Sequence, residues 1–594
     1  MEDSGRYKPQ EPGSASEAEV ESAGGAVARA GGSQTPGAQH LEPRLGADDG
    51  RLPGTLDSRS ESLPGSSGEP ALEREIVVAA LPAGATESGR RVDIAVRAFV
   101  PWLLAILVLG AALRVIGVNW DSNQHLHPDE RFLTMVTTAI QLPASLDLYL
   151  DSSRSPMSPY NQRFGFYVYG TLPLYLVKIV GLWLKQSGYD EVTLLGRVAS
   201  ALFDTLTILM VVLIGRKLYG ITVGLLGAAL YAVAVLPIQL SHFYAVDTFA
   251  SFFAMLAFYF AIGIERGGHK RFYLLSGLAL GLAVGSKVSA GSVALVIGLA
   301  AGVRLWRAWQ RYRQTADEPR LWMDATRIVL GLAAAGIVAF FTFRVVQPIT
   351  FQGPGIFGIL PNPTWIGNMV EISDLQSGAR DFPPGHQWTN RTPIVFPLTN
   401  MVVWGMGLPL GIAAWAGVVF AAYELIWRRK LAHLLPIAFV AAVFLYQGTQ
   451  WVPSMRYFVG IYPFLCLLAG YGLLAVWGWA ARHAEATGAW RALRVAARSA
   501  APVVLFLTAV WAAAFVTVYT RPHSRVEASR WIYANVPKGS VIANEHWDDG
   551  LPLRVDGKDG FGGWYTGIEL TNYDEDTPEK LDKLVQKLAA GKSS

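Results

Sequence analysis

The stretch AFVPWLLAILVLGAALRVIGV, residues 98–118, decides the fold class. It holds one basic residue and no acid in a run long enough to cross a bilayer core, which takes about 20 apolar residues in a helix. Comparable runs recur at 194–215, 221–240, 248–264, 272–286, 288–306, 327–346, 395–425, 432–447, 458–479 and 500–519. The fifth and sixth spans abut at Lys287, as two short helices joined by a tight turn would. The chain is 52% hydrophobic and 16% charged, whereas a soluble protein carries about a quarter charged residues. These features predict an all-α polytopic membrane protein with about eleven transmembrane helices. The single cysteine, Cys466, excludes an intrachain disulfide framework. The net charge of +4 gives no reason to expect a nucleic-acid partner.

Three regions follow. Residues 1–95 are rich in Gly, Ser, Pro, Glu and Ala, with few aromatics. Such a segment buries too little apolar surface to offset its ordering entropy and is expected to be disordered and cytoplasmic. It shows no secretory signal pattern. Residues 96–520 form the transmembrane region. Residues 521–594 read as a small α/β tail: SRVEASRWIYANV as a helix, SVIANE as a strand, and TPEKLDKLVQKL as a helix capped by Thr577 with Pro578 at its first position. With no strand to follow that helix, the tail is expected to be incomplete or reduced.

Basic clusters fall on alternate connections: Arg90, Arg91 and Arg97; Arg216 and Lys217; Arg266, Lys270 and Arg271; Arg304, Arg307, Arg311 and Arg313; Arg428, Arg429 and Lys430; Arg482, Arg491, Arg494 and Arg498. The positive-inside bias puts these in the cytoplasm of a cell-membrane protein. Loops 119–191, 241–247, 347–394 and 448–457, and the tail, then face outward. The outer loops are the long ones and hold the unusual polar residues. The densest of these follow the first span, in HLHPDERFLTMV, residues 125–136.

Arg114, Arg197, Asp204 and Arg344 lie within spans, where a charge costs ~2.5–3.5 kcal/mol on insertion scales and so meets a partner or a cavity. Arg197 and Asp204, seven residues apart, share a helix face and are expected to pair. Arg114 and Arg344 lie near the outer ends of their spans, placed either for a lipid phosphate or to snorkel to headgroups. His125 and His127, at alternate positions of an extended segment, put both rings on one face. With Asp129, and with His242 and Asp247 of the next outer loop, they offer ligands for a divalent cation; solvated interfacial histidines are the plainer alternative.

In VNWDSNQHLHPDERFLTMV, the sequence PDERF resembles the acidic first-loop signature of the GT-C membrane glycosyltransferases. The nearest pattern is that of the lipid A aminoarabinose transferases and the protein O-mannosyltransferases. GRVASALFDTLTILMVVLIGRKLYG, SHFYAVDTFASFFAMLAFYF, YLLSGLALGLAVGSKVSAG and SMRYFVGIYPFL resemble the family's later segments in order, so the likeness covers roughly residues 98–480. It implies a GT-C fold and transfer of a sugar from a polyprenyl-phosphate donor to a lipid, glycan or protein acceptor at the outer face. A lipid phosphate leaves as an anion without acid assistance, so one carboxylate suffices as base. This differs from the two carboxylates of glycoside hydrolases. By the resemblance Asp129 is that base, and Glu130 orients the acceptor or binds a cation. Lys287, Arg456 and Tyr457 bind the donor phosphate, joined by Arg344 and Arg114. Asp247 and His242 supply a second acidic or acceptor site, with a helix N-terminal role as the alternative for Asp247. The aminoarabinose transferases carry a Glu-Lys pair late in the first outer loop. FGFYVYGTLPLYL stands there instead, which weakens transfer of their metal site or acceptor.

Trp120, Tyr160, Tyr167, Tyr169 and Trp388 are placed to stack on a sugar or to form an aromatic belt. NEHWDDG, residues 544–550, suits sugar binding or a surface turn. FPPGHQW and NRTPIVFP, in the 347–394 loop, suit an irregular cover that excludes water. A transporter or flippase of lipid-linked sugars is the rival class. It would show internal repeats and paired broken helices, and no repeat is visible.

Overall fold

The computed structural model describes residues 88–380, 382–483, 488–546 and 549–592. The expectation for 1–95 lies outside these residues up to 87; from there the chain is already helical, because the first helix, α1, runs Ser88–Val115.

After α1 the chain folds over one end of the bundle as α2 (Pro128–Ala139), α3 (Leu146–Leu150), a 3-10 turn (Pro159–Gln162) and α4 (Thr171–Leu184). These short helices lie within the first long loop. The bundle continues with α5 (Tyr189–Leu218), α6 (Ile221–Ala232), α7 (Val235–Ser241), α8 (Val246–Arg266) and α9 (Lys270–Ser286). A 3-10 turn (Val288–Val293) leads into α10 (Ala294–Thr315), and α11 (Glu318–Val346) follows. The antiparallel pair β1 (Phe351–Gln352) and β2 (Leu360–Pro361) precedes α12 (Pro363–Ser377). The later helices are α13 (Val395–Asn400), α14 (Leu408–Ile426), α15 (Leu434–Gly448), α16 (Tyr462–Arg482) and α17 (Ala489–Thr520).

Among the described residues eight helices are long and apolar enough to cross a membrane, or nine if α6 and α7, bent by 59°, form one broken span. α1, whose apolar stretch Phe99–Val115 is 17 residues long, falls just short of that length, as does the 17-residue α9. Two expectations need correction. The span at 395–425 is not continuous: a π turn at Met401–Gly405 and Gly407, with φ of +78°, separate α13 from α14. The sequence GMGLP explains the break, since Gly accepts the left-handed backbone and Pro favours a helix start. The 347–394 loop is not irregular throughout either, because Asn362 caps the 15-residue α12.

Small residues set the close helix contacts. A Cβ on Gly215 of α5 would lie 2.5 Å from the Gly224 Cα of α6. A Cβ on Gly170, just before α4, would lie 2.1 Å from the Ser286 carbonyl oxygen at the end of α9. That contact seats α4 beside Lys287. A separate core under the loops holds α2 in place, built from Leu133, Val136, Leu174, Val192, Tyr244 and Ile349.

Cross-contacts show which ends meet. Thr171 donates its N–H to Gln347 at 2.7 Å, Ile394 to the Gly448 carbonyl at 2.7 Å, and Val452 to Gln376 at 3.2 Å. These loops therefore share one end. The basic connections meet at the other: Lys217 lies 3.5 Å from the Tyr259 ring centroid, Arg307 pairs with Glu265, and His433 bonds Tyr219 at 3.1 Å. The tail contains α18 (Ser524–Asn535), β3 (Val541–Glu545), β4 (Thr566–Leu570) parallel to β3, and α19 (Pro578–Lys592). The Thr577 cap is present, its hydroxyl accepting the Lys580 N–H at 3.2 Å. The tail docks on the loop-bearing end: Asp549 bridges Arg131 of α2, at 2.5 Å, and Arg525 of α18, at 2.8 Å.

Candidate active site

α2 begins where Pro128 supplies a preset φ and Asp129 and Glu130 occupy the first turn, where acids meet the helix dipole favourably. His127 caps it, its Nδ1 accepting the Glu130 N–H at 3.2 Å. The ring stacks on Phe243, and burial pushes its pKa down, so it is a neutral cap.

Asp129 and Glu130 are adjacent in sequence and opposite in environment. The Asp129 carboxylate is 29% exposed and pairs with Arg456, which stands in the 3-10 turn (Met455–Ile461) that opens α16. Burial alone would raise the Asp129 pKa, but the Arg456 charge and hydrogen bond outweigh it, with smaller help from His127 and the Tyr169 hydroxyl. Asp129 is therefore held below the ordinary carboxylate value and is ionised at neutral pH.

Asp247, in the first turn of α8, pairs with Lys287 at 2.6 Å. Lys287 stands in extended conformation at the break between α9 and the 3-10 turn that follows it. Its ammonium lies 4.9 Å from the Tyr457 ring centroid, and the Arg456 guanidinium 5.4 Å from the same ring. Arg456 also feels the Asp247 charge. Thus Asp129, Arg456, Tyr457, Lys287 and Asp247, from four separate stretches, form one cluster, with Tyr169 against Asp129. Every one of the four charged groups sits at a helix start or break. There a helix begins or is interrupted.

Other expected site residues lie elsewhere. Glu130 is fully buried: it takes two bonds from Arg197, at 2.7 and 2.8 Å, and the Tyr244 N–H at 2.8 Å. Arg197 also binds Asp121 through both Nη atoms, at 3.1 and 2.9 Å, and the Val118 carbonyl at 2.8 Å. All five of its N–H groups are thereby used. Burial would raise the Asp121 pKa, but Arg197 overrides it and holds it down. The expected Arg197–Asp204 pair does not form. Asp204 instead binds Arg114 of α1 at 2.6 Å and the Tyr231 hydroxyl at 2.5 Å. Each of the two has a partner of opposite charge outside α5, Arg197 in Glu130 and Asp121, and Asp204 in Arg114, which spacing along α5 cannot reveal. Arg114 is fully buried, with three further N–H groups on the Gly110, Ala232 and Tyr231 carbonyls, and is not open to a phosphate. Arg344 is also fully buried. Its Nη2 reaches the Leu150 and Gly355 carbonyls at 2.8 and 2.7 Å, while Nε and Nη1 have no acceptor.

The histidines do not converge on a cation. His125 lies between Asp190, at 2.8 Å, and Thr193, at 3.0 Å. His242 is buried against the Ile238 and Ile116 carbonyls, at 2.8 and 2.9 Å, and stacks on Tyr519. Among the described residues no three His, Cys, Asp or Glu side chains gather to hold a metal. Neither Asp121 nor the Arg131–Asp549 bridge was foreseen from the residues. The WD pair just after the first span was a signal for Asp121; a bridge between residues 418 positions apart leaves none.

Residues 189–338 match the family model for dolichyl-phosphate-mannose-protein mannosyltransferase. The match covers α5 through most of α11 and includes Asp247 and Lys287. Over these residues the chain is similar to that family. The oligosaccharyltransferase of Archaeoglobus fulgidus is similar at 15% identity, over 82% of this chain and 68% of that one, with a TM-score of 0.47. ArnT from Cupriavidus metallidurans, bound to undecaprenyl phosphate, is similar at 15% identity, over 82% and 88%, with a TM-score of 0.43. The Saccharomyces cerevisiae protein O-mannosyltransferase Pmt1–Pmt2 complex is similar at 20% identity, over 42% and 34%, with a TM-score of 0.33. No curated protein matches the chain.

Proposed function

We propose that the chain transfers a sugar from a polyprenyl-phosphate donor to a hydroxyl of a lipid, glycan or protein acceptor, with Asp129 as general base. The observation that carries this reading is the pairing of two carboxylates with two cations at one helix-terminal cluster, partly open and under the loops. The family match over 189–338 supports a lipid-linked donor. The basic clusters at the opposite end support an outward-facing site and a cytoplasmic N-terminus.

The donor phosphate meets Arg456 and Lys287. Arginine offers a planar fork and lysine a compact charge, and both suit phosphate oxygens. In the structure each cation is neutralised by a carboxylate, so phosphate binding draws Arg456 away from Asp129 and raises the basicity of that carboxylate. Asp129 then takes the acceptor proton as the acceptor oxygen attacks the anomeric carbon. The bond from that carbon to the phosphate oxygen breaks, and the polyprenyl phosphate departs as an anion on Arg456 and Lys287. A single displacement inverts the anomeric centre. Glu130 acts one step back, fixing α2 through Arg197, and is a positioning residue.

The test is incubation of the purified protein with a labelled polyprenyl-phosphate sugar and a hydroxyl acceptor. Release of polyprenyl phosphate with labelled product, abolished in Asp129→Asn, is the expected result. Movement of the sugar lipid across a bilayer without bond cleavage would replace this reading with transport.

A further inference from the structure

The half of the bundle away from the candidate site holds a cavity of about 600 Å³, between α1, α6, α16 and α17. Its lining is mostly apolar and includes Trp102 of α1, Trp477 of α16 and Leu225 and Ala229 of α6. One charged residue lines it, Arg498. α17 changes character along this one face. Arg491, Arg494 and Arg498 succeed one another at helical spacing and give way to Ala501, Pro502 and Leu505. Pro502 lies inside the helix; it has no N–H to give the carbonyl four residues back, that of Arg498. Among the described residues none of the three arginines pairs with a carboxylate. Bare cations above an apolar trough match a molecule with an anionic head and a hydrocarbon chain.

We propose that this groove holds a phospholipid with an anionic headgroup, its phosphate on Arg498 and one acyl chain between Trp102 and Trp477. The donor of the proposed reaction is a poor occupant. Arg456 and Trp477 are 21 residues apart on one continuous helical segment, roughly 30 Å along the axis, which is the thickness of a hydrocarbon core. A phosphate on Arg498 therefore lies in the leaflet opposite one on Arg456. The groove face of α17, Arg498 to Leu505, is about 10 Å long, which suits part of an acyl chain. The bound lipid would brace α1 and α17 against α6, where the helices themselves leave a gap.

The experiment is native mass spectrometry of the full chain released from nanodiscs of phosphatidylcholine with a minor fraction of phosphatidylglycerol. Wild type is expected to retain a phosphatidylglycerol, and Arg498→Gln to retain about fivefold less, since a basic residue near an anionic surface contributes ~1 kcal/mol. Ala229→Phe, which fills the trough, is expected to lose the lipid while keeping its helical circular dichroism. Equal retention in Arg498→Gln, or equal retention of phosphatidylcholine, overturns the proposal. So does displacement of the lipid by added undecaprenyl phosphate, which would make the groove a donor site. Retention requires no turnover, so it stands or falls separately from the transfer assay.

Discussion

Two sets of ion pairs share one protein and differ in what surrounds them. In the interior, Arg197 with Asp121 and Glu130, and Arg114 with Asp204, are dry and saturated. At the loop-bearing end, Arg456 with Asp129 and Lys287 with Asp247 keep between 6% and 34% of their side chains exposed. A buried charge that has lost its partner costs several kcal/mol, so a saturated pair cannot let go. A pair at a helix end keeps part of its hydration and can exchange one partner for another. The interior set holds the helices; the terminal set can exchange partners, as the proposed phosphate binding requires.

Exchanging the roles in experiment tests that contrast. The largest effect is expected from Asp129→Asn, with turnover falling ~10²–10⁴-fold, the range for loss of a general base. Its thermal unfolding in nanodiscs should stay near wild type. Arg197→Met should do the reverse, destabilising by ~3–5 kcal/mol because Asp121 and Glu130 remain buried and uncompensated. Intact stability there would break the comparison. Arg456→Lys keeps the charge but loses the fork, and donor kcat/KM should fall ~10–100-fold, as for loss of a charge-assisted hydrogen bond worth ~1.5–3 kcal/mol.

A pH profile sharpens the same point. Arg456 holds the Asp129 pKa below its ordinary value. The carboxylate is then ionised above about pH 4, and kcat/KM should fall only as pH drops through the depressed pKa. The stability that the pair contributes has the same sign: full above the unfolded pKa and lost as pH falls through the folded one. Arg456→Gln should move the acid limb of the profile upward. The smallest effect belongs to Asp549→Asn. Its Arg131 partner is 38% exposed, so the bridge contributes no more than ~1 kcal/mol. A modest loss of turnover with little change in unfolding temperature would show the tail steadying α2.

Much of this was legible in the residues. Apolar runs revealed the spans, since the bilayer imposes one length on every helix that crosses it. PDERF and the Lys at the break after α9, singled out by their resemblance to family segments, belong to the candidate cluster. The break within 395–425 was readable in GMGLP, but hydrophobicity alone passed over it.

The sequence by itself determined the class of protein, the helices, and which polar residues stand at their ends, because hydropathy and capping act over short range. Only the tertiary structure decided which charge answers which. Glu130 and Asp129 are neighbours in the chain, yet one turns inward to Arg197 and the other outward to Arg456. Adjacent residues on a helix point about 100° apart, and helices distant in sequence supply the partners.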